Sequence, residues 1–240
     1  MKKRPLNLDL LIALMAAGAG SAEAGLLTIG NYDDGNCFPF NCNDTGTSTG
    51  ISIHYQQIYA ASSFLSAGSI SSISFFDKPG VSPNVLNGNY SISFSTSPNT
   101  VATLSSTLAN NVGADNSVFF VGALGGSIGS IFTITGTPFP YNPFLGDLLI
   151  DIIVSNQDLV PNNTGNSYFW ADYTGSETTR VYSFVGGPDA LSVGTGALVT
   201  QFEMIPEPAT ILAGVMLVSL VGHRFLRHQR CPDNSFRMNA

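Results

Sequence analysis

Between residues 25 and 205, apolar and small polar residues alternate with a period of two, and that pattern sets the fold class. Ile51, Ile53 and Tyr55 alternate with Ser52 and His54, while Tyr90, Ile92 and Phe94 alternate with Ser91, Ser93 and Ser95. Successive side chains of an extended strand point to opposite faces, so each segment offers an apolar face to a core and a hydroxyl-rich face to water. Clusters of Gly, Pro, Asn and Asp separate these segments, as turns require. The same reasoning places strands at 69–76, 117–121, 130–135, 148–154, 168–173, 180–185 and 197–203. Nine short strands in one domain predict an all-β, two-sheet β-sandwich of jelly-roll type, with a closed barrel as the alternative. Segment 148–154 has apolar residues on both faces and is therefore expected in the middle of a sheet. Residues 101–111 are the one stretch that offers a helix, and their β-branched and Asn content works against it.

The chain has 240 residues, about 180 of them between its two apolar terminal segments, which is room for a single core. Only 10% of the residues are charged, well under the roughly 25% of ordinary soluble domains. Seven of the nine basic residues lie outside the strand-rich region, at Lys2, Lys3, Arg4, Arg224, Arg227, Arg230 and Arg237. Residues 25–205 keep Lys78 and Arg180 against twelve acids, a net charge of -10. Binding to a phosphate backbone needs clustered Lys and Arg, so nucleic acid is excluded as a partner. A cation or a neutral glycan fits the charge better.

Both ends read as addresses. Lys2, Lys3 and Arg4 precede a short apolar run at 10–17, and Ala22 and Ala24 form the small-x-small site that signal peptidase reads, predicting export through the Sec machinery and a cut after Ala24. A buried N-terminal helix is the alternative. The run 209–222 carries no charge and is closed by Arg224, Arg227 and Arg230. As a helix it covers roughly 20 Å, short of the ~30 Å hydrocarbon core, which makes it a marginal transmembrane anchor with its basic flank inside. A buried C-terminal helix of the domain is the competing reading.

Pro206-Glu207-Pro208, followed by the apolar run and the Arg cluster, closely resembles the PEP-CTERM sorting signal of Gram-negative bacteria. The resemblance implies processing by an exosortase, a membrane-embedded cysteine protease, and delivery to the cell surface, often beside exopolysaccharide. The segment 141–154 is also similar to a phrase recurring in the ectodomains of that family. Family tails usually stop soon after the basic cluster, whereas this chain continues through Cys231 to Ala240. The expected layout is a signal peptide at 1–24, a β-sandwich ectodomain at 25–204, a sorting signal at 205–230 and a tail at 231–240. Pro206 and Pro208 withhold helical hydrogen bonds and hold Glu207 extended, as a protease substrate must be.

Cys37 and Cys42 fall in the exported part, where oxidation predicts a local disulfide. Zinc is the alternative, but His54 is the only histidine of the ectodomain and a zinc site needs three or four ligands. Asp33, Asp34, Asn36 and Asp44 surround that loop and are the candidates for Ca2+, although ordinary turn formation is the preferred account of them and the EF-hand spacing is absent. No other cofactor is implied. His54 is expected to face solvent, without a catalytic partner or a Gly-x-Ser-x-Gly elbow. Asp147 and Asp151 fall about 13 Å apart at strand rise, too far for a glycosidase pair, and Asp172 and Glu177 have no evident partner. Tyr168, Trp170 and Tyr173 suit stacking on sugars, but Trp170 is expected first as the core tryptophan. The chain therefore reads as a non-enzymatic surface or matrix protein, with carbohydrate- or calcium-binding as the alternative and a polysaccharide-acting enzyme a distant third.

Overall fold

Strands account for almost all the regular structure of the computed structural model, which describes residues 24–42, 51–80, 84–158, 168–184 and 192–206. In chain order they are β1 (Gly25–Ile29), β2 (Asp34–Asn36), β3 (Ile51–Tyr59), β4 (Gly68–Phe76), β5 (Asn84–Thr96), β6 (Ser117–Ser127), β7 (Ile131–Tyr141), β8 (Leu148–Gln157), β9 (Phe169–Asp172), β10 (Thr178–Phe184), β11 (Ser192–Gly194), β12 (Ala197–Leu198) and β13 (Thr200–Pro206). Among the described residues the only helical turns are 3-10 turns at Ala61–Ser63 and Leu108–Asn111. The fold is all-β, and its sheets are antiparallel: β1-β13-β4-β7, β11-β10-β3-β8-β5-β6 and the small β12-β9-β2. One compact unit spans Ala24–Ile205. The regions proposed as signal peptide and membrane helix lie outside the described residues, and no described helix is long and apolar enough to cross a membrane.

The inner faces of the two larger sheets pack against each other. Ile70, Ile73, Phe75, Ile134, Phe139 and Phe202 meet Ile53, Tyr55, Tyr59, Tyr90, Ile92 and Phe94, all buried in one cluster. Tyr59 meets Phe202 edge to face at 4.9 Å between ring centroids, and Phe94 meets Phe139 at 5.6 Å. Strict alternation from Ile70 would turn Ile73 and Phe75 outward. A register shift between Ile70 and Ser72 resets the phase and returns both to the core. β8 lies between β3 and β5, and its outward Leu149 is covered rather than wet. The cover is the 101–112 segment, whose Leu104 and Leu108 pack on Ile58, Leu149 and Val181. A surface strap therefore replaces the helix that the sequence offers there.

Residues 197–203 form two strands, not one. β12 pairs with β9 and β13 pairs with β1, so the chain changes sheets at Val199, whose amide donates to the Trp170 carbonyl at 2.9 Å. Across this junction Gln57 acts as a surrogate strand. Its amide nitrogen donates to the Leu198 carbonyl at 2.8 Å, and its oxygen accepts from the Leu198 amide at 2.7 Å and the Tyr55 hydroxyl at 2.6 Å.

Cys37 and Cys42 are joined in a disulfide, with Cα atoms 5.1 Å apart. The loop they close drives Phe40 into the core, where its ring meets Phe75, Tyr90, Phe132 and Phe169 at centroid distances of 4.9, 5.8, 5.3 and 5.5 Å. The Leu86 amide donates to the Phe40 carbonyl at 2.9 Å and the Gln157 side chain to Pro39 at 3.0 Å, fixing the loop to the larger sheet. Closing so short a loop stabilises by roughly 2 kcal/mol through the unfolded state, whereas emptying a fully buried phenylalanine site costs about 3–5 kcal/mol. Phe40→Ala is therefore expected to destabilise more than the paired change Cys37→Ser/Cys42→Ser. Urea unfolding of the two variants measures the order.

Candidate functional site

The surface with the most varied chemistry surrounds the small β12-β9-β2 sheet. Gly30, at a φ of +105°, turns the chain out of β1, and Tyr32, Asp33 and Asp34 follow it into β2. Gly35 stands opposite Trp170 in the β2–β9 register, and a Cβ there would lie 2.6 Å from Tyr168 Cβ, so only glycine permits this approach. Alternation on β9 buries Phe169 and Ala171 and turns Trp170 outward. Trp170 is thus a half-buried surface residue, which corrects its assignment to the core. The edge of Tyr32 packs on it at 5.9 Å, and Lys78, ion-paired to Asp34, lies over its ring at 5.4 Å. Tyr168 and Tyr173 are exposed beside it, and the Tyr173 hydroxyl donates to the Gly35 carbonyl at 3.2 Å.

The other cation of the body borders the same sheet. Arg180 lies over Tyr182 at 4.9 Å, Tyr182 stacks on Phe38 at 4.8 Å, and the Arg180 Nε donates to Thr195 at 3.0 Å. Both basic side chains of residues 25–205 therefore rest on aromatic rings rather than projecting as free charges. The result is an amphipathic surface of tyrosine hydroxyls, a tryptophan edge and two lidded rings, able to contact a neutral polyhydroxylated polymer and poorly suited to anions.

The carboxylates proposed from the sequence are engaged separately. Asp33 Oδ2 accepts from the Tyr173 and Thr174 amides at 2.8 and 2.9 Å and from the Thr174 hydroxyl at 2.8 Å, and that hydroxyl, with the Tyr173 amide, holds its pKa below the usual range. Lys78 does the same for Asp34. Asn36 donates to Gly196 at 2.7 Å and accepts from the Phe38 amide at 3.1 Å. Among the described residues no three His, Cys, Asp or Glu side chains converge as metal ligands, and Asp44 lies outside those residues. Asp147 takes the Ala61 and Val101 amides at 2.9 and 3.0 Å, while Asp172 takes the Thr174 and Gly175 amides at 3.2 and 2.6 Å. Glu177 is exposed and contributes its backbone carbonyl to the Ala60 amide.

His54 differs from its expected solvent-facing state. Its Nε2 lies 2.6 Å from Asp151 Oδ1 on the outer face of the six-stranded sheet, with the two side chains only 19% and 10% exposed. Sequence spacing could not show this pairing, because the partners lie on adjacent strands and 97 residues apart. The sequence reading also missed an open groove of about 440 Å³ lined by Asn87, Gly88, Asn89, Ala123, Leu124, Gly125 and Asn156. Asn156 is the one non-glycine among the described residues with a left-handed backbone, at a φ of 53°. Of the sorting and processing residues, Ala24 opens the described body and Pro206 ends β13. Ala22, Glu207, Pro208, Arg224, Arg227 and Arg230 lie outside the described residues.

Comparison with protein-family models returns no match, and neither the curated proteins nor the solved structures contain a match to this chain.

Beside this surface Asp77 bridges to Phe169 with a partly buried carboxylate whose Oδ1 has no hydrogen-bond partner among the described residues. Burial pushes its pKa above the ordinary value of 3.8, so the charged form costs stability above the raised pKa. Asp77→Asn is expected to stabilise the body modestly at neutral pH and so to raise Tm there. That gain fades as pH falls through the raised pKa and vanishes below 3.8, where the carboxyl is neutral in both states. Thermal melts of both proteins from roughly pH 3 to roughly pH 7 provide the check.

Proposed function

We propose that this chain is an exported, non-enzymatic cell-surface protein, freed from its membrane anchor by an exosortase and associated with exopolysaccharide. Signal peptidase cuts after Ala24 following Sec export, the apolar run 209–222 holds the body outside the inner membrane, and processing occurs at Pro206-Glu207-Pro208. The observation that carries this reading is the extent of the compact unit, Ala24–Ile205, with Gly25 of β1 paired opposite Met204 of β13. Among the described residues, every strand except for Pro206 at the end of β13, and the whole buried aromatic cluster, fall inside those limits, so a cut at either address leaves the paired strands intact. The engagement of His54 with Asp151, and of Asp33, Asp147 and Asp172 with loop amides, supports a body without catalysis.

The body is read further as a jelly roll. In its support, β1, β13, β4 and β7 form one sheet while β3, β8, β5 and β6 run side by side in the other. The chain crosses between the two groups at each successive step except β5 to β6, and β10 and β11 extend the second sheet beyond β3. That interleaved path is the double Greek-key arrangement.

Mass spectrometry of the mature protein is expected to show an N-terminus at Gly25 and loss of residues 209–222, with the C-terminal loss abolished in an exosortase-deleted host. Identical intact C-termini in both hosts would falsify the processing step. A carbohydrate-binding role for the body is favoured by the exposed Tyr32, Tyr168 and Tyr173 beside half-buried Trp170. It predicts that mature protein titrated with the host exopolysaccharide binds in calorimetry and that Tyr32→Ala weakens binding several-fold while the protein still melts in a single cooperative transition at a slightly lower temperature. Calorimetric silence removes this role and leaves the export route standing.

A further inference from the structure

Among the described residues, the three most exposed large apolar side chains of the body project from the same end of it. Leu65 is 95% exposed, Phe144 86% and Leu145 73%, and Leu26 and Ile205 are also exposed. Strand register brings them together. Gly25 stands opposite Met204 across β1 and β13, Gly68 stands opposite Tyr141 across β4 and β7, and a Cβ on Gly68 would lie 2.9 Å from the Ile205 carbonyl. The start of β1, the end of β13, the start of β4 and the end of β7 therefore lie side by side. The loops 60–67 and 142–147 emerge at that edge, carrying Leu65 and Phe144 with Leu145.

These loops are built to hold their tips outward. The Phe144 amide donates to Asn142 Oδ1 at 3.1 Å and the Leu145 amide to the Asn142 carbonyl at 3.0 Å, closing a turn on Pro143. Tyr141 donates to the Gly146 carbonyl at 2.8 Å, and Asp147 fastens the other loop through the Ala61 amide at 2.9 Å. The inward side chain of that loop, Phe64, packs on Tyr141 and Phe202 at 4.8 and 5.5 Å. Phe64 and Leu65 are adjacent, one anchoring the loop in the core and the other left outside.

What covers them follows from the chain beyond Ile205. Only Pro206, Glu207 and Pro208 separate the body from the uncharged run that starts at Ala209. Three extended residues reach at most about 10 Å. With that run in a bilayer, this end of the body is held against the lipid headgroups. Neither loop contains Lys or Arg, and the body as a whole carries -10, so attraction to an anionic surface does not supply the contact. Apolar insertion does.

We propose that this end is a membrane-docking face, in which Leu65, Phe144 and Leu145 seat in the interfacial layer of the bilayer holding residues 209–222. The proposal rests on the anchored topology of the preceding section and adds an orientation to it. Docked in this way, the body stands upright on the end of β13, and its aromatic β2–β9 surface is lifted from the lipid. Lys78, which lies over Trp170, follows the far end of β4, about 27 Å away at strand rise. Once the chain is cut, three interfacial side chains without a spanning segment hold the body only reversibly, so docking orients the substrate without retaining the product.

The test uses the full chain in vesicles of phosphatidylethanolamine and phosphatidylglycerol with brominated acyl chains, which quench tryptophan only at the bilayer. Trp170 is the only native tryptophan and serves as an internal reference remote from the docking face. Phe144→Trp and Leu65→Trp are each expected to add an emission component that is blue-shifted and largely lost to bromolipid. Wild type and Val121→Trp, the latter at an exposed position on β6, keep their emission. Vesicle flotation separates the two readings. Protein that floats while Trp at 144 and 65 is no more quenched than at 121 overturns docking and preserves the anchor. Protein that fails to float overturns the anchor and the docking face with it. A blue shift without bromolipid quenching means that the loops bury against a second copy of the chain, which also overturns the proposal.

Discussion

A single buried ring ties the sheets to one another. Phe40 touches Phe75 and Phe132 from the four-stranded sheet, Tyr90 from the six-stranded sheet and Phe169 from the small one. It reaches that position from a loop that belongs to no strand, so the loop itself must be held rigid. The Cys37–Cys42 bond, the Asn41 amide on the Cys37 carbonyl at 2.7 Å and the Gln157 contact to Pro39 together supply that rigidity. A body with so few charges has little electrostatic means of orienting one sheet on another. Its specificity comes instead from interlocking aromatic shapes, whose preferred edge-to-face contacts have geometry as well as area.

The polar residues follow the same logic one layer further out. Asp33, Asp115, Asp147 and Asp172 each accept from backbone amides of distant or turning segments, and Gln57 and Gln56 bridge the six-stranded sheet to β12 and to the 101–112 strap. Buried or half-buried backbone donors left without partners cost more than most single contacts gain. In a fold whose connections carry little regular structure, carboxylates and amides complete the loops.

Strands were legible where one face is buried and the other wet, as at Ile51–Tyr59 and Asn84–Thr96, because burial enforces a period of two. Legibility fails where a second layer intervenes. The apolar outer face of 148–154 marks a central strand, but its cover, the strap around Leu104 and Leu108 on Ile58 and Leu149, is a tertiary fact with no local signature. β2 is three residues of Asp, Gly and Asn, a turn by every local rule, and it is extended only because β9 lies beside it. Trp170 was misplaced for a related reason: in a nearly charge-free chain its hydrophobicity argues for the interior, yet the smaller Phe169 and Ala171 occupy the inward positions of β9. The His54–Asp151 pair joins strands whose adjacency no spacing rule supplies, so it became visible only with the sheet order.

The strand order also bears on how the ends of such a body are handled. β13 is an interior strand, held between β1 and β4, and β1 is the outer neighbour that completes its pairing. Its last residues are therefore fixed by hydrogen bonds to the first residues of the body, Leu26 opposite Glu203 and Gly25 opposite Met204. A protease that binds substrate as an added strand requires unpaired backbone, and along its ladder with β1, β13 is paired from Thr200 through Met204. The folded sheet thus sets a limit on any cut near this end, which must fall beyond the last paired residue.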